Sequence, residues 1–343
     1  MTDSSNPSSK RILMLGGTGS IGRATVAALV GRGHKVVCIA RPKAGSGGKL
    51  TQEKTTSLLQ GAEVIFGDVT DSTFLTEEVF RDCGASRRHR NFDGVVSCLA
   101  ARTGEPDDAW AIDYQAHMDV LSLAQESGVK QMVLLSAICV QKPLLVFQHA
   151  KLKFEAALRE SGLTYSIVRP TAYFKSLSGQ VDRVKKGKSF LIFSDGTLTA
   201  CKPISDRDLA EYLTNCLEDV SLQNKILPIG GPGPALTALE QGECIFKILG
   251  RQPKFTSLPV SLMSGATALM DGLAKVFPPL VAKAELARIG LYYATESMLV
   301  LNPETGDYDA DATPETGTDT LFDFFQSLID GTETADRVDY DLF

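Results

Sequence analysis

Short apolar runs alternate with longer segments whose apolar residues return every three or four positions, and this alternation governs the first two thirds of the chain. The runs RILMLG (11–16), KVVCIA (35–40), AEVIFGDV (62–69), GVVSCLA (94–100), QMVLLSA (131–137) and TYSIVRP (164–170) are short and rich in β-branched residues. Each predicts a strand, and their nearly unbroken apolar character predicts burial on both faces. Between them, segments such as ATVAALVGRG (24–33) and WAIDYQAHMDVLSLAQESG (110–128) carry helical periodicity. Strands alternating with helices predict an α/β fold, a Rossmann-type doubly wound parallel sheet covered on both faces. No internal repeat of 20–50 residues interrupts the pattern.

Beyond about residue 205 the rhythm loosens. DRDLAEYLTNCLED (206–219) predicts a helix, KILPIGGPGPALTALEQGECIFKILG (225–250) a strand, turn and helix, and 257–293 is largely apolar and helical. These segments predict a smaller C-terminal substrate lobe on the sheet's carboxyl edge, where ligands bind in doubly wound folds. The expected organisation is a disordered tail over 1–9, a dinucleotide-binding domain over 10–205, and a mainly substrate-binding lobe with an acidic tail over 206–343.

Charge refines this only at the end of the chain. The net charge is −6, yet the stretch from Leu301 to Phe343 holds 12 acids and one base, leaving the rest at +5. The stretch predicts a solvated acidic tail, and the balance gives no support to nucleic-acid binding. Cysteines stand at 38, 83, 98, 139, 201, 216 and 244 with no C-x-x-C pair, and histidines at 34, 89, 117 and 149 have no ligand spacing. That pattern speaks against a zinc or iron–sulfur site and for a reducing compartment. The N-terminus MTDSSNPSSK lacks the apolar core of a secretory signal, and no run of about 18 apolar residues predicts a membrane span.

The first chemistry-bearing motif is GGTGSIG (16–22), directly after the first strand and opening a helix. Gly16, Gly19 and Gly22 let the backbone turn tightly and approach a pyrophosphate, with Thr18, Ser20 and Ile21 completing the turn. The helix N-terminus offers free N–H groups to the anion. At the end of the second strand, where an acid would hold the ribose 2′-hydroxyl of NAD, the chain has Arg41, with Lys43 close behind. Guanidinium and ammonium groups there fit a 2′-phosphate, so NADPH is the expected cofactor. Asp68 and Val69 end the third strand beside the expected adenine, and Leu99 and Ala100 end the fourth, on the nicotinamide side.

The second motif is FQHAKLKFE (147–155), followed by SGLTYSIVRP (161–170). With the glycine turn, this K-x-x-x-E and Arg-Pro arrangement over residues 11 to about 210 resembles the atypical, NmrA-like branch of the short-chain dehydrogenase/reductase superfamily. The resemblance implies that Lys151 bonds the nicotinamide ribose and that Pro170 lines the nicotinamide. Lys153 is a rival for that lysine, and the offset from Glu155 favours Lys151. Most such enzymes carry a tyrosine four residues before the lysine as the acid for a carbonyl oxygen. Here Phe147 occupies that place, which suits reduction of a carbon–carbon double bond, where no alkoxide forms, or cofactor binding without chemistry.

Three segments carry the resemblance further: LLSAICVQKPLLVFQHAKLKFEAAL (134–158), GGPGPALTALEQGECIFKILGR (230–251) and DATPETGTDTLFDFF (311–325). They resemble the family of NADPH-dependent 8-vinyl reductases of chlorophyll and bacteriochlorophyll synthesis. The resemblance implies a tetrapyrrole substrate, divinyl chlorophyllide or protochlorophyllide. It also implies a location in the cytoplasm of a photosynthetic bacterium, or in a plastid. The proton for the second vinyl carbon is left to Tyr173, His149, Lys153 or solvent, with Tyr173 the leading catalytic candidate beside Lys151. Phe277, Leu280, Leu291, Tyr292 and Tyr293 are candidate walls of an apolar slot. Peripheral membrane contact through the same surface and the oligomeric state stay open. Two alternatives stand beside this reading: an NmrA-like dinucleotide sensor without catalysis, and another alkene or aryl-ether reductase of the branch.

Overall fold

The computed structural model describes residues 9–44, 48–81, 91–101, 103 and 105–333. All but the last position of the expected disordered tail, residues 334–343 of the acidic tail, Cys83 and His89 lie outside them.

Six parallel strands form where the apolar runs predict them: β1 Arg11–Leu15, β2 Lys35–Ala40, β3 Glu63–Phe66, β4 Gly94–Ser97, β5 Gln131–Leu135 and β6 Thr164–Pro170. A seventh, β7 Lys225–Ile229, pairs in parallel with β6 and completes the order β3-β2-β1-β4-β5-β6-β7. The sheet layer thus continues past residue 205. Successive residues of each central strand enter opposite cores. Leu13, Leu15, Val95, Met132, Leu134 and Ile167 pack on one face, and Ile12, Met14, Val96, Val133, Leu135 and Val168 on the other. This two-sided burial explains why the strands read as unbroken apolar runs rather than alternating ones.

The helices that matter for the site follow from the strand ends. They are α1 Ser20–Gly31, α2 His117–Glu126, α3 Val146–Glu160, α4 Asp206–Asn215, α5 Ala238–Ile248, α6 Val260–Ala274, α7 Val281–Thr295 and α8 Leu321–Asp330. Between β4 and α2 the chain runs through a wide-turned π-helical segment, Trp110–Ala116. Such segments re-aim side chains and recur at functional sites.

A separate core joins Phe174, Phe190, Ile245 and Phe246 to Leu321, Phe324, Phe325 and Leu328. The solvated tail expected from Leu301 is therefore not what residues 301–333 form. Helix α8 buries one stripe at the spacing 321, 324, 325 and 328, its acids lie off that stripe, and Thr320 caps its start by accepting from the Asp323 N–H at 3.1 Å. Upstream, the buried Asp208 accepts from the backbone N–H groups of Thr318 and Asp319 at 2.9 and 2.8 Å, and Lys202 pairs with Glu315 at 2.9 Å. The apolar stripe decides the placement, and the negative charge is absorbed by local partners.

Candidate functional site

Two places at the carboxyl edge of the sheet carry the sequence-predicted residues. The first is the turn between β1 and α1. Gly16 has φ +73°, and a Cβ there would lie 2.5 Å from the Cys98 carbonyl oxygen. A Cβ on Gly22 would lie 2.1 Å from the Gly16 carbonyl oxygen. Only glycine fits either position, so the turn, the end of β4 and the first turn of α1 are pressed together. Gly19 is the N-cap of α1, in extended conformation, and its N–H donates to the Gly16 carbonyl. Ser20 and Ile21 are buried, Ile21 among the residues beneath the sheet. Thr18 lies at the turn's partly open surface. A close-packed glycine turn opening a helix is the cradle a dinucleotide pyrophosphate requires, and the residues present fit that group.

Arg41 and Lys43 are exposed at the end of β2, and Asp68 is exposed at the end of β3. One Asp68 oxygen is engaged by the Thr70 N–H and hydroxyl, at 2.9 and 2.8 Å. Val69 is buried against the sheet core. These residues surround the outer end of the edge and lie outside the cavity described next.

The second place is a cavity of about 450 Å³ beyond the ends of β4, β5 and β6. It gathers Leu99, Ala100, Lys151, Pro170, Tyr173 and Tyr293 from the sequence prediction and adds Asp113, Ser136 and Cys139. Its volume is that of a small-molecule site, about 300–1,000 Å³. Phe147 lines the same cavity, so the position expected to carry a phenol presents an apolar ring.

Lys151 is buried on α3, and its Nζ lies 2.8 Å from the carboxylate of Asp113, which is also buried. The other Asp113 oxygen accepts from the Ala101 N–H at 3.4 Å. A carboxylate from the π-helical segment thus ties the lysine to the loop after β4. Asp113 escaped sequence reasoning because an acid within a helical pattern ordinarily marks a solvated face. A turn of changed pitch is invisible to a 3.6-residue template.

Glu155, one turn beyond Lys151, faces the sheet. It accepts from the Ser136 hydroxyl and from Arg169, which approaches with both Nε, at 3.2 Å, and Nη2. Ser136, on the cavity wall, therefore has its proton engaged. The K-x-x-x-E spacing has a structural cause: the lysine serves the cavity while the glutamate holds the ends of β5 and β6 in place around Pro170.

Behind Leu99 lies a buried relay. His117 Nδ1 is 2.9 Å from the Ile112 carbonyl and Nε2 is 2.7 Å from the Ser97 hydroxyl, which in turn accepts from the Leu99 N–H at 3.3 Å. Burial and the nearby Lys151 charge lower the His117 pKa to about 3, partly opposed by the Ile112 carbonyl. The ring is neutral at pH 7, so Nδ1 donates to Ile112 and Nε2 accepts from Ser97. Burial raises the Cys98 thiol to about 12, so it is not a nucleophile at pH 7.

Helix α7 closes the cavity from the second lobe with Ile289 and Tyr293. Burial, with Cys139 and Tyr173 nearby, pushes the Tyr293 phenol well above its usual range. Tyr292 instead donates to the carbonyls of Cys139 and Lys142 at 2.9 and 3.1 Å. The carboxylate of Glu285, on α7 and buried, accepts from the Val146 N–H at 3.0 Å, at the start of the lysine helix. Of the five expected wall residues, Tyr293 reaches the cavity; Phe277, between α6 and α7, is 55% exposed. Among the expected proton donors, Tyr173 lines the cavity. His149 is exposed on α3, and Lys153 rests over the rings of Trp110 and Tyr114, at 5.4 and 4.5 Å from their centroids.

A family model described as NAD(P)H-binding matches residues 16–220. The divinyl chlorophyllide a 8-vinyl-reductase, chloroplastic, of Arabidopsis thaliana is 51% identical over 330 residues, covering 94% of this chain and 78% of that protein. The chain belongs to the divinyl chlorophyllide a 8-vinyl-reductase family. The protein of the same name from Cucumis sativus is also 51% identical, over 94% of this chain and 77% of its own length. Among solved structures, the NADPH-dependent quinone oxidoreductase QOR2 of Escherichia coli, complexed with NADPH, shares the fold at a TM-score of 0.64. It is 17% identical, and the match covers 92% of this chain and 99% of that one. Phe147 on the cavity wall stands where a tyrosine-dependent carbonyl reductase would present a phenol.

Proposed function

We propose that this protein reduces the 8-vinyl group of 3,8-divinyl chlorophyllide a, or of the corresponding protochlorophyllide, to an ethyl group. One observation carries the reading. In a chain of this family, the cavity at the nicotinamide end of the fold holds a buried, charge-paired lysine and an apolar ring where a phenolic acid would stand. NADPH supplies the hydride when bound and leaves as NADP⁺; the second vinyl carbon takes a proton.

The roles of the residues follow from their places. The N–H groups of the turn Gly16, Thr18, Gly19, Ser20, Ile21 and Gly22 receive the pyrophosphate, and Arg41 and Lys43 pair with the 2′-phosphate. Asp68 and Val69 flank the adenine. Leu99, Ala100 and Pro170 border the nicotinamide, and Lys151, held by Asp113, donates to the ribose hydroxyls. The apolar walls exclude water. Conjugation of the vinyl group with the macrocycle spreads the developing negative charge, so positioning replaces the missing acid. Tyr173 delivers the proton. The chloroplastic relatives support pigment synthesis in a plastid as the setting; the cytoplasm of a photosynthetic bacterium is the alternative setting.

Incubation with divinyl chlorophyllide and NADPH tests this. The expected result is NADPH oxidation with a blue shift of the Soret band as a conjugated vinyl is lost. An unchanged spectrum alongside demonstrable NADPH binding would support the non-catalytic sensor instead.

A further inference from the structure

We propose that the helical hairpin spanning residues 260–286 docks this protein peripherally on the surface of an anionic lipid bilayer. Helix α6 packs on α7 through Met263, Thr267 and Asp271. Thr267 Oγ1 donates to the Ala287 carbonyl at 3.4 Å and Asp271 pairs with Arg288 at 2.8 Å. The other side of α6 carries Leu262, Leu269 and Leu273 at spacings of seven and four, which is one helical stripe, and Val276 follows in the turn after the helix. These side chains are 62, 64, 38 and 70% exposed, and Phe277 beside them is 55% exposed. A contiguous run of large apolar side chains on the outside of a folded protein marks an interaction surface.

Charge selects the partner. The single acid between residues 259 and 284 is Asp271, and Arg288 neutralises it. Lys275 and Lys283 flank the tip, with no ion-pair partner among the described residues. A second copy of the chain would bring the same lysines to the interface with no free acid on the hairpin to answer them. Anionic headgroups supply that countercharge, and the acyl boundary receives the apolar stripe. Among the described residues no helix is long and apolar enough to cross a membrane, so the contact is peripheral. The proposal stands on this surface alone and does not depend on what the cavity binds.

Co-flotation of the full chain with phosphatidylcholine vesicles, with and without phosphatidylglycerol, tests it. Binding is expected on the vesicles containing phosphatidylglycerol. Lys275→Gln with Lys283→Gln should weaken it by about fivefold per charge removed. Leu269→Glu with Val276→Glu should abolish it while circular dichroism and NADPH affinity stay unchanged. The lysine pair keeps the test decisive should the glutamate pair fold poorly. Wild-type protein that never floats, or binding that neither pair diminishes, overturns the proposal. So does a dimer, seen by light scattering, that Leu269→Glu with Val276→Glu converts to monomer.

Discussion

Lys151 and Asp113 form a buried ion pair, Nζ to carboxylate at 2.8 Å, between the lysine helix and the π-helical segment after β4. The pair fixes the ammonium group toward the cavity and answers its charge where water is scarce. Removing one partner of such a pair leaves the other buried and uncompensated, at a cost of about 3–5 kcal/mol. Asp113→Asn is therefore expected to lower unfolding free energy by that order in denaturant titrations. Lys151→Ala should cut kcat/KM for NADPH by about a hundredfold through lost positioning. A Lys151→Ala enzyme with wild-type kinetics would remove the lysine from the proposed role.

Phe147 makes a second prediction. If delocalisation across the substrate replaces an acid at this position, installing one gains nothing. Phe147→Tyr should leave the rate of vinyl reduction within about twofold of wild type, whereas Tyr173→Phe should lower kcat by about a hundredfold or more, the usual worth of a positioned acid. Solvent-deuterium incorporation into the product, compared between Tyr173→Phe and wild type, separates proton delivery by the side chain from delivery by water.

Much of this was legible along the chain, for a physical reason. Strands buried on both faces must be continuously apolar, and a turn that admits no Cβ must be glycine, so β1 to β6 and the motif at 16–22 announce themselves. Asp113 and His117 did not. Each acts through a contact across the fold: Asp113 with a lysine 38 positions later, His117 with the end of a strand that precedes it. Helix α8 shows a different failure. Its stripe Leu321, Phe324, Phe325 and Leu328 is plain in the sequence, but the acids around it give the segment the net charge of a solvated tail. Burial follows the apolar face of a helix, and charge on the opposite face does not prevent it.

In the proposed function, cofactor choice falls to Arg41, which is exposed at the end of β2. Arg41→Ala is expected to weaken NADPH binding by roughly one order of magnitude or more, the worth of a charge-assisted pair with phosphate, and to leave NADH binding nearly unchanged. Fluorescence titration with both dinucleotides checks this. Equal losses for the two would show that the arginine does not read the 2′-phosphate.

His117 gives the fold a pH dependence. Its imidazole is lowered from the ordinary 6.5 to about 3 by burial and by the Lys151 charge. Between those values the unfolded chain binds the proton and the folded one does not. The contribution of this group is therefore complete above pH 6.5 and is lost as pH falls toward 3, at up to about 1.4 kcal/mol per pH unit. Chemical denaturation across that window should show this slope in the wild type and a shallower one in His117→Gln. Identical slopes would mean that the ring is not held neutral.

The most direct measurement uses NADPH carrying deuterium at the transferable position of the nicotinamide, with divinyl chlorophyllide as acceptor and mass analysis of the pigment. Hydride delivery from the cavity described here predicts one deuterium in the ethyl group of the product. Reduced pigment without that label, or labelled NADPH consumed with the vinyl group intact, would contradict it.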